Sequence, residues 1–431
     1  MNTNFDVVVV GGGFAGLVAA REAGNLGQTV LLVEALDRLG GRTWTTEGLG
    51  TSVEMGGTDI HWLQPNAWAE AARYGLEIEE FAPPEQLLYF DGSEVKEGTE
   101  AEVFGLLDKG MTALAEVARE AYPRPQDPEF SPSAFDYDKL SLGEFLDGVE
   151  MTVAERAMMS SFWSSGCQGP VDEAGLTFAL RWLALAGWDW ALMVDVIARY
   201  KITGGMKRLS DGIASDIRGE IRTGVAATAI VDEGDEVAVT LSDGSVVRAR
   251  AVVVAVPINV LSRITFEPAR PEFEEIANAG MISGGLKVVC RIRGDRTPYM
   301  AFAPEGNPLV IVQYDRSIDG DHIAVGFGPD ATALDATSVE AVQDVLRGWL
   351  PDVEVIEVAN HNWTTDEMFL GTWAVPAPGQ LRAQIDAVTS RNGRVMLAGA
   401  DLALGSYALI DGAINTGIRA GRDAARLAAG A

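Results

Sequence analysis

Short apolar runs alternate with Gly-rich turns and helical stretches along the chain, and this pattern is clearest near the N-terminus. Residues 5–10 read FDVVVV, a β-branched run typical of strands that are buried in a parallel sheet. GGGFAG follows, then an Ala- and Leu-rich stretch with helical spacing that ends near Gly27, then a second apolar run, TVLLVEA. A strand, a Gly-rich turn, a helix and a strand within about 30 residues predict a βαβ unit.

Helical and strand-like periods alternate through the rest of the sequence. In chain order, the predicted elements are an amphipathic helix over 102–121, mostly helical spacing over 140–200, two strands within 221–257, strands within 308–328 and a helix over 337–349. The C-terminal residues predict a strand, a Gly-rich loop and a long closing helix. Because sheet-type segments occur at both chain ends and near 221–257, we expect interleaved domains.

The composition excludes several classes of function. A length of 431 residues predicts two or three units, since a domain averages about 150 residues. The formal charge of −29 repels nucleic acid and anionic membranes, so neither is an expected partner, although solubility or a salty habitat explains the charge equally well. Two cysteines and three histidines cannot build a disulfide framework or a structural zinc site, and no metal is expected.

Targeting signals are not visible in the sequence. The N-terminal residues MNTNFDVVVVGGG lack the charged and apolar regions of an export signal. No apolar segment approaches the length needed to span a bilayer. These observations predict a cytoplasmic protein.

The first Gly-rich turn has the spacing Gly11-x-Gly13-x-x-Gly16, and Glu34 ends the second strand. Gly11 allows the tight turn, Gly13 lets the backbone approach a pyrophosphate, and Gly16 lets the helix pack against the strand. The helix N-terminus would face the negative charge, and the Glu34 carboxylate would accept hydrogen bonds from a ribose diol. The pattern predicts a dinucleotide site but does not separate NAD from FAD.

Further motifs narrow the choice of cofactor. Glu34 is followed by ALDRLGGRTWT, and later segments read VEMGGTDIHWLQPNAWAEAARYGL, YKITGGMKRLSDGIA, RTGVAATAI, NWTTDEMFLGTWAVPAPGQL and LAGADLALGSYALIDGAINTGIRAGRDAA. In this order the motifs resemble the flavin-containing amine oxidase family, which includes monoamine, polyamine and bacterial nicotine oxidases. They are most similar to bacterial nicotine and 6-hydroxynicotine oxidases. Residues from about 80 to 200 match weakly.

The resemblance implies an α/β fold with a discontinuous Rossmann-type FAD-binding domain and an inserted substrate domain of helices and an antiparallel sheet. The expected boundaries are 1–80, 200–285 and 385–431 for the first domain and 81–199 and 286–384 for the second. The residues that the resemblance places at the FAD are Gly11, Gly13, Phe14, Ala15, Gly16, Glu34, Ala35, Gly41, Arg42, Gly57, Thr58, Val225, Trp363, Gly399, Asp401, Ile410 and Ala413.

Several of these residues have specific implied roles. Arg42 would lie by the pyrophosphate, where a bidentate cation suits a phosphate, and Val225 would receive the adenine. Asp401 would bond the ribityl chain and Ile410 would offer backbone to the pyrimidine edge. Thr372 stands where monoamine oxidases carry the cysteine that binds FAD covalently, so a non-covalent FAD is expected.

Lys287 lies in the apolar run SGGLKVVCRI and permits two interpretations. Alternation in a strand puts Lys287, Val289 and Arg291 on one face, which by spacing alone is an ordinary solvated face. The resemblance instead implies that Lys287 points inward and holds a water against the flavin N5, where a cation would stabilise charge during reoxidation. We favour the second interpretation, unless the register slips by one residue.

The resemblance also implies a substrate pocket over the flavin. Trp373 would form one wall of an aromatic cage, and Leu409 would replace the usual aromatic or polar second wall. Trp363 would lie against the flavin, although core packing is common for either tryptophan. Tyr407 and Trp188 complete the expected pocket.

Asp59 stands where relatives usually carry an aromatic or neutral residue. A carboxylate at the flavin edge could anchor a cationic amine or help to deprotonate it. A salt bridge to an Arg or Lys elsewhere in the chain explains its presence equally well.

The implied function is FAD-dependent oxidation of a small amine. A hydride would pass from the α-carbon to flavin N5 and leave an imine or iminium that hydrolyses, with O₂ or a redox protein as electron acceptor. A nicotine-like secondary or cyclic amine is favoured over a primary arylalkyl or cycloalkyl amine. The sequence also leaves open a flavoprotein that oxidises a C–C bond, like protoporphyrinogen oxidase or a desaturase, and a non-catalytic FAD-binding protein. A homodimer is the family expectation.

Overall fold

The computed structural model describes residues 4–390 and 393–430. The strands are β1 (Asn4–Val10), β2 (Val30–Val33), β3 (Thr45–Gly48), β4 (Thr51–Glu54), β5 (Asp59–Ile60), β6 (Ile78–Glu80), β7 (Gln86–Phe90), β8 (Val95–Gly98), β9 (Tyr200–Ile202), β10 (Glu220–Arg222), β11 (Ala227–Asp232), β12 (Val237–Leu241), β13 (Val246–Val254), β14 (Thr265–Glu267), β15 (Leu286–Ile292), β16 (Tyr299–Phe302), β17 (Ile311–Ile318), β18 (Asp321–Gly328), β19 (Val355–Asn360) and β20 (Val395–Leu397). The helices are α1 (Phe14–Asn25), α2 (Pro65–Arg73), α3 (Glu100–Ala121), α4 (Ser133–Tyr137), α5 (Leu142–Asp147), α6 (Val153–Cys167), α7 (Leu176–Leu185), α8 (Trp190–Ala198), α9 (Lys207–Ser215), α10 (Ile258–Leu261), α11 (Pro271–Ala279), α12 (Val339–Leu346), α13 (Leu381–Thr389) and α14 (Ile410–Ala428).

The first sheet holds the predicted βαβ unit. Its strand order is β10-β2-β1-β13-β12-β11-β14, with β20 beside β13. β10, β2, β1, β13 and β20 are parallel, whereas β12 is antiparallel to both of its neighbours. Val7 and Val9 of β1 pack in the core that contains α1 and α14, and Val8 and Val10 pack in the core on the opposite face. Both faces of β1 are therefore covered, which explains its unbroken apolar run.

The second sheet is mostly antiparallel. Its order is β19-β15-β18-β17-β16-β7-β8, and only the pair β16–β7 is parallel among its described strands. Leu286, Val288 and Cys290 of β15 share a core with Val342 and Leu346 of α12 on one face. The opposite face of β15 is turned towards the functional site.

Helices α3 to α8 form a separate layer. Their apolar residues share one core, which includes Trp163 of α6, Phe178 and Trp182 of α7, and Phe302 of the second sheet. Helices α3 and α6 both begin with a capping box, Thr99 with Glu102 in α3. Residues of this layer also line the functional site.

The predicted fold class and most predicted elements are confirmed. The predicted helix over 102–121 is α3, and the long closing helix is α14. The first sheet takes strands from residues 4–33, 220–267 and 395–397, so the described chain is interleaved as expected. Among the helices described here, none combines the length and the apolar character that crossing a membrane requires.

Candidate active site

One cavity of about 540 Å³ is lined by both sheets and by the helical layer. It begins at the carboxyl ends of β1 and β2, where Val10 and Val33 reach its surface, and it ends against aromatic residues of the helical layer. Ligands of parallel α/β sheets bind in the crevice outside the carboxyl ends of the strands. The cavity therefore has a nucleotide end and, at the far side, a second end of different character.

Backbone from the turn between β1 and α1 forms the nucleotide end. Gly11 has a φ of +105°, a conformation that favours glycine, and a Cβ there would lie 2.6 Å from the Ala255 carbonyl oxygen. Gly16 does not line the cavity; a Cβ there would lie 1.9 Å from the Gly11 carbonyl oxygen, so its missing side chain lets α1 pack against the turn. No described side chain caps α1, which begins at Phe14, and its first N–H groups can receive an anion.

Glu34 is fixed at the same end. Its Oε2 accepts a hydrogen bond from the Gly12 N–H at 2.5 Å, and its Oε1 accepts one from the Leu36 N–H at 2.8 Å. Burial raises the pKa of Glu34, and these backbone hydrogen bonds oppose that rise. The Val225 N–H donates to the Glu34 carbonyl oxygen at 2.9 Å, so both predicted adenosine residues lie side by side. Ala35 also lines this part of the cavity.

Arg42 and Asp401 form an ion pair beside the middle of the cavity. Arg42 lines the cavity, together with Gly41 and Gly399, whereas Asp401 is buried behind it. The second carboxylate oxygen of Asp401 accepts the Ile258 N–H at 3.0 Å. Asp401 thus orients the Arg42 guanidinium at the cavity, and its bond to a ribityl chain stays a prediction.

The middle of the cavity also receives the start of α14. Ile410 and Ala413 line the cavity, and no described side chain caps this helix. Gly57 and Thr58 face it from the loop before β5. Trp363 is buried, and its indole Nε1 donates to the Met55 carbonyl oxygen at 3.1 Å, which fixes the ring against this loop.

Lys287 points from β15 into the cavity. Its Nζ donates to the Gly56 carbonyl oxygen and to the Thr58 hydroxyl, both at 2.9 Å. An ammonium group has three N–H donors, so one remains for a cavity ligand. Burial lowers the pKa of Lys287, and the carboxylates of Glu54 and Asp59 act in the opposite direction. The strand face predicted for Lys287 is therefore correct, and that face is turned to the cavity, not to solvent.

Asp59 lines the cavity beside Thr58. Its pKa is raised to about 7 because burial outweighs the positive charges of Lys287 and Lys201, which act to lower it. Within residues 4–390 and 393–430, no Arg or Lys makes an ion pair with the Asp59 carboxylate, so the salt-bridge interpretation of this residue is not supported.

Trp373, Trp182 and Leu409 form the walls of the far end. The rings of Trp373 and Trp182 lie 5.5 Å apart between centroids. The Trp373 indole donates to the Ala408 carbonyl oxygen at 2.7 Å, and the Trp182 indole donates to the Tyr407 carbonyl oxygen at 3.1 Å. The two indoles therefore fix the position of the loop that carries Leu409.

Two predicted pocket residues do not reach the cavity. Tyr407 is buried behind the loop, where the Arg181 guanidinium lies 3.9 Å from its ring centroid. Trp188 has a φ of +65° just after α7, and its indole donates to the Tyr122 carbonyl oxygen at 3.3 Å on the far side of the helical layer. The structure therefore does not place either residue in the cavity wall: both pack in the core of the helical layer, Tyr407 from the loop before α14.

Sequence reasoning missed several lining residues. Besides Trp182, the missed apolar residues at the far end include Phe104, Phe162, Met300, Phe302 and Ile311. They belong to the helical layer and to β16 and β17, outside any motif. Only the bulk of Trp182 in an apolar helical stretch was a visible signal.

The lining fits FAD. The uncapped N-terminus of α1 and the Arg42 guanidinium both line the cavity and suit an anionic pyrophosphate, and Glu34 can accept a ribose diol. Thr372 lines the cavity, whereas Cys167 and Cys290 are buried and do not line it. The described residues therefore offer no thiol to a covalent flavin bond.

Comparisons with known proteins agree with this geometry. The sequence family described as flavin containing amine oxidoreductase matches residues 14–425. Pseudooxynicotine dehydrogenase of Pseudomonas sp is 35% identical over 97% of this chain and 86% of that protein. Nicotine dehydrogenase of Pseudomonas putida is 34% identical over 98% and 89%, and (S)-6-hydroxynicotine oxidase of Paenarthrobacter nicotinovorans is 31% identical over 96% and 97%.

Solved structures share the fold. A double mutant of putrescine oxidase superposes with a TM-score of 0.87 at 22% identity, covering 98% of this chain and 99% of that one. Cyclohexylamine oxidase from Brevibacterium oxydans gives a TM-score of 0.84 at 20% identity, with coverage of 98% and 99%. The matched family spans residues 14–425, which include most of the residues that line the cavity. This protein belongs to the flavin-containing amine oxidoreductase family and is an FAD-dependent amine-oxidising enzyme.

Proposed function

We propose that the substrate is a small secondary or cyclic amine of the nicotine type. The observation that carries this proposal is the far end of the cavity, where two tryptophans and Leu409 enclose a space that is continuous with the flavin-binding part. An apolar pocket with few polar groups suits a compact amine with a ring. The relatives named for nicotine and pseudooxynicotine, at 34% and 35% identity, support the same class.

The residues of this chain would divide the work between placing the amine and stabilising charge. Trp373 and Leu409 would press the amine against the flavin ring, and Trp182 would keep both in position through the loop it holds. Lys287 would present its third N–H to the reacting edge of the ring. Bound FAD would supply the acceptor for the hydride that leaves the amine α-carbon. Placement of the amine and electrostatics would be the main contributions of the protein.

The site residues beyond the walls keep their predicted roles in this proposal. Glu34 and Val225 would hold the adenosine, and Arg42 would hold the pyrophosphate. We also propose that the first sheet with its helices is the FAD-binding domain, and that the second sheet with the helical layer is the substrate-binding domain. The enzyme would be cytoplasmic and homodimeric, with O₂ or a redox protein as electron acceptor.

Anaerobic reduction of the flavin tests the proposal. Purified yellow protein would be mixed with nicotine, 6-hydroxynicotine, pseudooxynicotine, cyclohexylamine, benzylamine and putrescine, and the visible flavin band would be followed. We expect bleaching by a nicotine-type amine. Bleaching by cyclohexylamine or benzylamine alone would assign a primary amine instead. No bleaching by any amine, while dithionite still reduces the flavin, would overturn the proposed substrate class.

A further inference from the structure

A second cavity of about 270 Å³ lies on the other side of Asp59 and Lys287. Both residues line it, together with Thr58, Gln313 and Phe327, and all five also line the main cavity. Its remaining wall carries the charged side chains of Glu54, Glu79, Lys201, Asp315 and Arg316. A chamber that carries several charged side chains thus adjoins the main cavity, and Asp59 stands at their shared wall.

Local strand pairing puts Asp59 at this wall. β5 has only two residues, and Asp59 pairs with Lys201 of β9 in the antiparallel register. The Lys201 Nζ lies 2.5 Å from Asp315 Oδ1 and 3.6 Å from Glu79 Oε1, so its charge is shared by other carboxylates. Lys287 in turn donates two of its N–H groups to the Gly56 carbonyl oxygen and the Thr58 hydroxyl. Within the described residues, the Asp59 carboxylate receives no hydrogen bond or ion pair from another side chain.

The charges around Asp59 allow it to change protonation state near neutral pH. Burial raises its pKa to about 7, and Lys287 and Lys201 favour the ionised form. Asp315 favours the protonated form. Glu54 from β4, Glu79 from β6 and Arg316 from β17 complete the set of charged groups that face the same chamber.

An amine oxidised at its α-carbon needs its nitrogen lone pair free, whereas a basic amine arrives in water mainly as its ammonium form. On the basis of the proposed function, we propose that Asp59 takes the proton from the bound ammonium and that the second cavity passes it to solvent. An N–H bond breaks, its electron pair stays on nitrogen, and the proton forms an O–H bond on the Asp59 carboxylate. Water reached through the second cavity then accepts this proton and restores the carboxylate.

The test compares Asp59→Asn with the parent holoenzyme in anaerobic stopped flow, using the amine of the panel that bleaches the flavin. We expect the reduction rate at pH 7 to fall about 100-fold, in the range for loss of a general base. Below the pKa of the amine, the rate of the variant should rise about tenfold per pH unit, because only the neutral fraction reacts. The reduction rate of the parent should depend less steeply on pH, and the rates of parent and variant should become equal at high pH. Glu357→Gln removes an exposed carboxylate from β19, which pairs with the Lys287 strand β15; it is the matched control and should behave as the parent.

Asp315→Asn provides a second variant that leaves Asp59 in place. Because the negative charge of Asp315 raises the pKa of Asp59, its removal should move the midpoint of the parent pH profile to lower pH. Identical pH profiles for Asp59→Asn and the parent would overturn the inference while leaving amine oxidation intact. If Asp59→Asn does not fold, an unmoved midpoint in Asp315→Asn would overturn it. Absence of bleaching by every amine would remove the proposed substrate class, and the inference with it.

Discussion

The two ends of the cavity are built in different ways. The nucleotide end is mostly backbone, presented by short turns directly after strands and by the N-terminus of α1. The substrate end is made of side chains from α6, α7, β15, β16, β17 and the loops at 372–373 and 408–409. A backbone site requires particular conformations from a few glycines, and those are visible in a sequence. A side-chain site requires that distant elements fold together first.

The difference predicts how each end responds to mutation. At the nucleotide end, one added side chain displaces the backbone that forms the site. At the substrate end, loss of one wall leaves the others in place, and only affinity or rate changes. We therefore expect the largest effects at the nucleotide end and smaller effects towards the substrate end.

Gly16→Val should abolish retention of FAD. The Cβ would lie 1.9 Å from the Gly11 carbonyl oxygen, so either α1 or the turn must move. Overpacking of this kind costs up to about 3 kcal/mol, which corresponds to about 100-fold weaker binding. Visible flavin absorbance per protein after gel filtration measures the loss. Gly105→Ala in α3, where no described atom beyond the neighbouring backbone of the same helix lies within 4 Å of the new Cβ, should keep its flavin. An equal loss there would contradict the argument.

Lys287→Met should slow reoxidation of the reduced flavin by about 100-fold, the usual effect of removing a preorganised donor. The measurement mixes dithionite-reduced enzyme with oxygen, or with an electron-accepting dye, in stopped flow. Arg291→Met is the matched control: it lies on the same face of β15, but its guanidinium pairs with Asp321 at 2.8 Å. Equal rates for the parent and Lys287→Met would show that the cavity face of β15 takes no part in reoxidation.

Trp373→Leu should raise KM for the amine about 10-fold, because it removes an aromatic wall and the hydrogen bond that holds the Ala408 carbonyl oxygen. Trp188→Leu makes the same chemical change at a tryptophan that packs away from the cavity. Its KM should stay within about twofold of the parent. A larger KM effect at Trp188 than at Trp373 would restore the pocket predicted from the sequence.

Trp182 and Trp188 show why the substrate end could be predicted only in part, whereas the nucleotide end could be predicted. Residues 176–184 of α7 are buried without exception, so the helix has no polar face from which a cavity side could be read. The positive φ angles of Gly187 and Trp188 then turn the chain after α7. Trp188 therefore does not point into the cavity as Trp182 does. Neither fact is encoded in local periodicity.

For Lys287, the alternation of residues along the strand predicts the face of the sheet but not what that face contacts. Alternation along β15 assigned it correctly to the face opposite Leu286 and Val288. Whether that face meets solvent or a cavity depends on the loop at 56–58 and on β17, which lie far away in sequence. The ion pair between Asp401 and Arg42 could not be read from local pattern either, because the two residues are 359 positions apart in the sequence.

The smallest expected effect is a pH-dependent gain in stability for Asp59→Asn. The pKa of Asp59 is about 7 in the fold against a usual 3.8, so folding takes up a proton at intermediate pH and stability falls as pH rises from about 4 to about 7. Asn carries no charge, and it avoids the cost of ionising a partly buried carboxyl. The difference in Tm between the FAD-saturated variant and parent should therefore grow over this window, by on the order of 4 °C, and level off above about pH 8. Glu357→Gln, exposed on β19, should show no such trend. A constant difference across the window would mean that Asp59 stays ionised in the fold, which would make it a fixed charge at the substrate end and remove its capacity to exchange a proton there.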